Sequence, residues 1–242
     1  MSRTDTAIRL ERDASRFLPF ARHVTEAMLA LDNGEYVAVF RLDGIAFETA
    51  DIATINDWHE KLNGAWRVIA HERVALMIHT VRRVEHSYPD GQFRSPFARH
   101  LDDCYRKRVL AKRMFVNEHY LTLVYRPAVG ATDRAATSVF SMFSKATAIE
   151  AEAEIVEKFG EILRDTAKLM ARVNPMLLTT YEARGLMFSA PLELMQRIMT
   201  GSARPVPIVR GHLGRALYSD RVIFGREVTE IREAGGSRYA GV

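Results

Sequence analysis

The stretch His119-Tyr-Leu-Thr-Leu-Val-Tyr-Arg-Pro127 constrains the fold more than any other part of this chain. It is dense in β-branched and aromatic residues, the types that suit a pleated surface. In an extended chain Tyr120, Thr122 and Val124 point to one side, and Leu121, Leu123 and Tyr125 to the other. Both sides are largely apolar, so the segment is predicted to be a central strand covered on both faces. Pro127 has no N–H to donate, and pairing is expected to stop there. The competing reading is an apolar turn of a buried helix, which a run this short does not exclude.

Around this strand the first half of the chain reads strand, helix, strand, helix, strand. Tyr36–Leu42 is a strand introduced by the turn signal Asp32-Asn33-Gly34. Thr49 or Asp51 can cap a helix over about residues 51–67, with Ile52, Ile55, His59, Leu62 and Trp66 expected on its inner face. Val74–Val81 is a second strand, closed by Arg82-Arg83. Phe97, Leu101, Tyr105 and Val109 are spaced four apart, which predicts a helix with an apolar stripe and basic flanks. Helical connections of this length are what parallel or mixed sheets require. The predicted fold class is therefore α/β (α+β), a mixed β-sheet with packed helices.

The second half begins with a small, polar loop or short helix over residues 128–146. A long helix follows, about 146–173, with glutamates in its first turns and Lys168 and Arg172 in its last, as the helix dipole favours. Residues 176–181 are a further strand candidate. Ser189-Ala-Pro191 opens another helix, which stops at Thr200-Gly201. Arg221–Phe224, Glu227–Ile231 and a segment returning from Gly235-Gly236 through Arg238 predict a C-terminal β-hairpin region. The chain is expected to be truncated within that hairpin. Residues 17–29 carry apolar side chains at roughly helical spacing inside a charged N-terminal segment, 1–30.

Hydrophobic residues make up 48% of the 242, enough to bury a sizeable core. Val74-Ala-Leu-Met-Ile78 is typical of the longest apolar runs, far short of the ~20 residues that span a bilayer. Membrane contact is expected to be peripheral or through a partner. Cys104 is the single cysteine, so no internal disulfide can form; it is predicted to be a small core residue, and a cytoplasmic compartment fits.

Motif chemistry is sparse. None of the six lysines is preceded by glycine, so the Gly-x-x-x-x-Gly-Lys phosphate loop does not occur. No Gly-x-Gly-x-x-Gly, His-Glu-x-x-His or Gly-x-Ser-x-Gly pattern occurs either. No catalytic, cofactor or metal residues are expected. The formal net charge of +4 is mild. The best candidate anion-contacting residues are Arg82, Arg83, Arg106, Lys107, Arg108, Lys112 and Arg113, which leave open a nucleic-acid-binding module without enzymatic activity. The bland alternative is a solvated basic face with local ion pairs.

Several strings in fixed order carry more information than any one motif. They are Ile55-Asn-Asp-Trp-His-Glu-Lys-Leu-Asn-Gly64, the Val74 strand ending in Arg82-Arg83, Tyr88-Pro89, and Tyr120–Pro127. Ser189-Ala-Pro-Leu-Glu-Leu194 through Gly201 comes next, then Phe224-Gly225, Glu230-Ile-Arg232 and Tyr239-Ala240. Together they resemble the N-terminal domain of the CagE/TrbE/VirB family, the ATPases of type IV secretion and conjugal DNA-transfer machines. The likeness runs from about residue 7 to residue 242. It implies an assembly domain over 31–242 that docks a motor onto the inner-membrane complex. It implies that ATP and magnesium belong to a C-terminal motor absent from this chain, which would itself not be an enzyme. Its implied partners are inner-membrane subunits, other ATPases of the machine and further copies of itself, at the cytoplasmic face of the inner membrane.

Overall fold

The computed structural model describes residues 11–12, 18–70, 72–127, 145–201, 203–217, 221–233 and 236–241. The segment that anchors the sequence reading lies in β6 (Met114–Tyr125), flanked by β4 (Tyr36–Leu42) and β5 (Val74–Glu85). The main sheet runs β2 (Phe20–His23), β3 (Leu29–Leu31), β4, β6, β5, and β7 (Pro175–Leu177) pairs with β4. Two smaller sheets join β8 (Thr180–Ala183) to β9 (Leu186–Ser189), and β1 (Glu11–Arg12) to β10 (Arg221–Phe224), β11 (Val228–Glu233) and β12 (Gly236–Gly241).

Helices cover both faces of β4 and β6. On one face Tyr36, Ala38, Phe40, Leu121, Leu123 and Tyr125 meet α1 (Ile52–Ile69) through Ala65 and Ile69. They also meet α3 (Lys145–Leu169) through Phe159 and Leu163. Tyr125 stacks on Phe159 with ring centroids 5.3 Å apart. On the other face Val37, Val39 and Tyr120 meet Leu192 and Leu194 of α4 (Ala190–Thr200) and Leu213 and Leu217 of α5 (Leu213–Leu217). The largely apolar alternation of the strand is thus explained by two cores, one per face.

The α+β class holds, with one correction: the sheet is not mixed. Every strand pairing among the described residues is antiparallel. β4 and β5 do run in the same direction across the helical crossover α1, as the connection length suggested. They are not neighbours, however, because β6 is inserted between them and pairs antiparallel with both. A helical crossover sets the relative direction of two strands without requiring that they pair.

Local signals fall where the sequence puts them. Gly34 takes φ +80° in the β3–β4 turn, and Asn33 accepts the Glu35 N–H. Asp51, rather than Thr49, caps α1 by accepting the Thr54 N–H at 2.6 Å. Ser189 caps α4, Pro191 stands in its first turn, and Gly201 ends it at φ +70°. The long helix ends at Leu169, and a 3₁₀ turn, Ala171–Val173, leads into Pro175.

Three expectations fail. The helical spacing over 17–29 is not a helix: Phe20–His23 and Leu29–Leu31 are strands of the main sheet, a tertiary pairing that overrides weak local periodicity. The inner face of α1 is rotated from the expected one. Ala65 and Ile69 are buried, Trp66 is partly buried, and Ile52, His59 and Leu62 are exposed. Cys104 is exposed on the surface of its helix and not in a core. The polar stretch 128–146 lies almost wholly outside the described residues.

Candidate interaction surface

The sequence-predicted basic residues are brought together on one protrusion. β5 and β6 pair continuously from Val74↔Tyr125 to Glu85↔Met114, whereas β4 ends opposite His119. The last five residue pairs, 81–85 with 118–114, therefore form a two-stranded ribbon beyond the three-stranded body. At a rise of about 3.4 Å per residue this ribbon is about 17 Å long. Helix α2 (Pro96–Leu110), capped by Ser95, joins its two strands at the tip. Ribbon and helix together form an arm.

The α2 helix contains no buried residue. Its inward side consists of the half-buried Ala98, Asp102, Arg106 and Val109. It is held to the loop after β5 by polar contacts. The Tyr88 hydroxyl donates to Asp102 at 2.8 Å, Arg106 donates to Asp90 at 3.0 Å, and the Arg106 guanidinium lies 5.0 Å from the Tyr88 ring centroid. The apolar stripe that the sequence predicts points outward, with Phe97 76% exposed, Leu101 47% and Tyr105 56%. Cys104 and Arg108 fall on the same face by helical spacing.

The seven candidate anion-contacting residues divide into three groups. Arg83 and Arg106 are committed to ion pairs, Arg83 with Glu118 at 2.6 Å and with Glu85, Arg106 with Asp90. Arg82 and Arg113 lie over the Phe115 ring, 4.4 and 5.4 Å from its centroid. Lys107, Arg108 and Lys112 are exposed. The surface is consequently less available to phosphate than seven basic residues in sequence suggest.

At the base of the arm sits a residue that the sequence did not single out. Glu118 accepts hydrogen bonds from Arg83 Nε at 2.6 Å, from Arg197 Nη1 of α4 at 2.5 Å and from the Tyr120 hydroxyl at 3.0 Å. Burial pushes its carboxyl up, but the donors outweigh this and hold its pKa below the ordinary value. This carboxylate ties the ribbon to the sheet and to α4. Beside it, Arg41, Tyr120, Glu193, Arg197 and Arg204 line a cavity of about 370 Å³. A second cavity of about 350 Å³ opens between α1 and the end of α3, lined by Phe47, Trp58, Leu62 and Leu169. Arg172 lies 4.4 Å over the Trp58 ring there. The sequence signal for the Glu118 hub is the one carboxylate in a strand whose other residues are apolar, aromatic or uncharged polar, apart from His119.

Among the described residues no group of His, Cys, Asp and Glu could hold a metal ion, and no helix is long and apolar enough to cross a membrane. The arm exposes apolar side chains beside solvated cations.

The domain is a central antiparallel sheet with an exposed arm, and comparison with known proteins shows its family. Residues 27–132 match the family described as the type IV secretion system ATPase VirB4/TrbE, N-terminal domain. Residues 176–242 match the CagE, TrbE, VirB family, component of type IV transporter system. The chain is 35% identical over 228 residues to the type IV secretion system protein virB4 of Bartonella quintana, covering 93% of this chain and 29% of that protein. It is 32% identical over 236 residues to the type IV secretion system protein PtlC of Bordetella pertussis (96% and 28%). The figure for protein virB4 of Agrobacterium fabrum is 31% over 225 residues (92% and 28%). The chain belongs to the VirB4/TrbE family of type IV secretion ATPases and corresponds to its N-terminal region. It spans less than a third of the length of these relatives.

Proposed function

We propose that this chain is a non-catalytic assembly module that docks a type IV secretion ATPase onto the inner-membrane complex of its machine. ATP and magnesium would be handled by a motor outside this chain. The partners would be inner-membrane subunits, other ATPases of the machine and further copies of the same domain, met at the cytoplasmic face of the membrane. The carrying observation is the conjunction of family and surface. The N-terminal domain match includes the whole arm, and among the described residues the apolar stripe of that arm is left exposed. A helix that buries nothing in its own domain is stabilised little by that domain, which favours a role outside it.

Co-fractionation tests the proposal. The chain is expressed with and without the inner-membrane subunits of a type IV secretion system, and the membrane fraction is assayed. Subunit-dependent movement into the membrane fraction is expected. A chain that stays in the supernatant with every subunit, or a protein peak that hydrolyses ATP in proportion to its concentration, would refute it. The nucleic-acid reading loses ground because two of the seven basic residues, Arg83 and Arg106, are paired with carboxylates.

A further inference from the structure

We infer that the arm is itself a lipid-contacting element, built to lie on an anionic phospholipid surface without help from a protein subunit. The inference rests on the docking reading and adds to it a specific occupant for the exposed stripe.

Three observations support it. First, Phe97, Leu101 and Tyr105 form a continuous apolar face on a convex, solvent-exposed helix. A convex face suits a flat surface, and Tyr beside Phe and Leu is the side-chain set that settles at a lipid–water boundary. Second, cations adjoin that face. Arg108 lies on the stripe itself, and Lys112 and Arg113 follow the helix end, all exposed. Their aliphatic stems can lie along apolar surface while the charges stay at phosphate level. Third, charge is concentrated where the arm is. Residues 82–118 contain nine Arg and Lys against five Asp and Glu, an excess equal to the +4 of the entire chain. The remaining residues sum to zero net charge, so the excess that complements a negative surface lies in the arm. The two-stranded ribbon that leads to α2 continues past the end of β4. A nucleic acid would use the cations but leave the apolar face unsatisfied. A second copy could offer its own apolar stripe but would bring the same excess of positive charge to the contact.

The test is flotation of the purified chain with two kinds of protein-free vesicle. One is phosphatidylcholine alone; the other is equal parts phosphatidylcholine and phosphatidylglycerol. Binding to the anionic vesicles only, weakened by added salt, is expected. Replacing Arg108, Lys112 and Arg113 together by Gln should weaken it about a hundredfold, at about fivefold per charge. Phe97→Ser with Leu101→Ser should weaken it at least tenfold. The inference is overturned by equal binding to both vesicles, by binding to neither, or by variants that float like the parent. It is also overturned if the variants lose a dimer in sedimentation and no vesicle binding. The parent chain's choice between the two vesicles is decisive even if a variant fails to fold. Failure to float combined with intact subunit-dependent recruitment would sink this inference and leave the docking reading standing.

Discussion

Two leucines on the same chain should respond to truncation in opposite ways. Leu121 is fully buried beneath α1 and α3, with Phe40, Leu123 and Phe159 in the same core. Leu101 is 47% exposed, on a helix with no buried residue. Leu121→Ala removes buried methyl groups and leaves a cavity in a close-packed core, a change that costs about 3–4 kcal/mol. Leu101→Ala removes partly solvated surface and opens no cavity, so about 0.5 kcal/mol or less is expected. For a chain of this size each kcal/mol moves the thermal midpoint by about 2–4 °C, which separates the variants clearly: a fall of about 6–16 °C against about 2 °C or less. The assay is thermal unfolding followed by circular dichroism on both variants, at two protein concentrations. A Leu101→Ala loss comparable to that of Leu121→Ala would refute the claim that α2 is unpartnered. If that loss shrank on dilution, the stripe would be shown to be buried between copies of the chain.

Other consequences are equally measurable. In double-mutant cycles Glu118 should couple to Arg197 by about 1 kcal/mol and more weakly to Arg83. Arg197 is the less exposed partner, and Arg83 keeps Glu85; equal couplings would remove the assigned role of Glu118 as the link to α4. Stability should fall with acid below about pH 6.5. Burial lowers the pKa of His23, whose Nδ1 donates to the Thr25 carbonyl at 3.2 Å while Nε2, 2.9 Å from Ser189 Oγ, is left to accept from the cap of α4; burial lowers His79 as well. The unfolded chain then binds more protons than the folded one below the ordinary histidine pKa, so stability is complete above it and is lost as pH falls. A thermal midpoint that is flat or rises from pH 7 to 5.5 contradicts this, and His23→Gln should flatten the decline. Tyr181, raised to about 12 by its hydrogen bond to Glu193, should stay un-ionised in an ultraviolet titration well past the ordinary tyrosine range, and Glu193→Gln should bring it down. Finally, mixing with duplex DNA at low salt should leave its gel mobility unchanged; a salt-sensitive shift would reinstate the nucleic-acid reading.

Amino-acid order by itself determined the elements whose cause is local. The alternation through Tyr120–Tyr125 specified a strand covered on both faces. Asp51 and Ser189 with Pro191 and Gly201 marked helix ends, and Asp32-Asn33-Gly34 marked a turn. Each of these works through dihedral preference or a hydrogen bond within a few residues, so no distant contact is needed to read it. The ordered strings likewise pointed to the right family, because their order survives whatever they pack against.

Only the tertiary structure decided which apolar face found a partner. The four-residue spacing of Phe97, Leu101 and Tyr105 marks a helix with an apolar stripe, and it does not say what covers that stripe. Helix α2 sits at the tip of a ribbon that has outrun β4, where there is no second layer to bury it. In the same way the crossover through α1 indicated parallel neighbours, and β6 came between them. Periodicity states that a helix has an apolar side. What covers that side depends on contacts between segments far apart in the chain, as Glu118 depends on Arg197 79 positions away. Burial is a property of the assembled layers, and here the layers leave the arm uncovered.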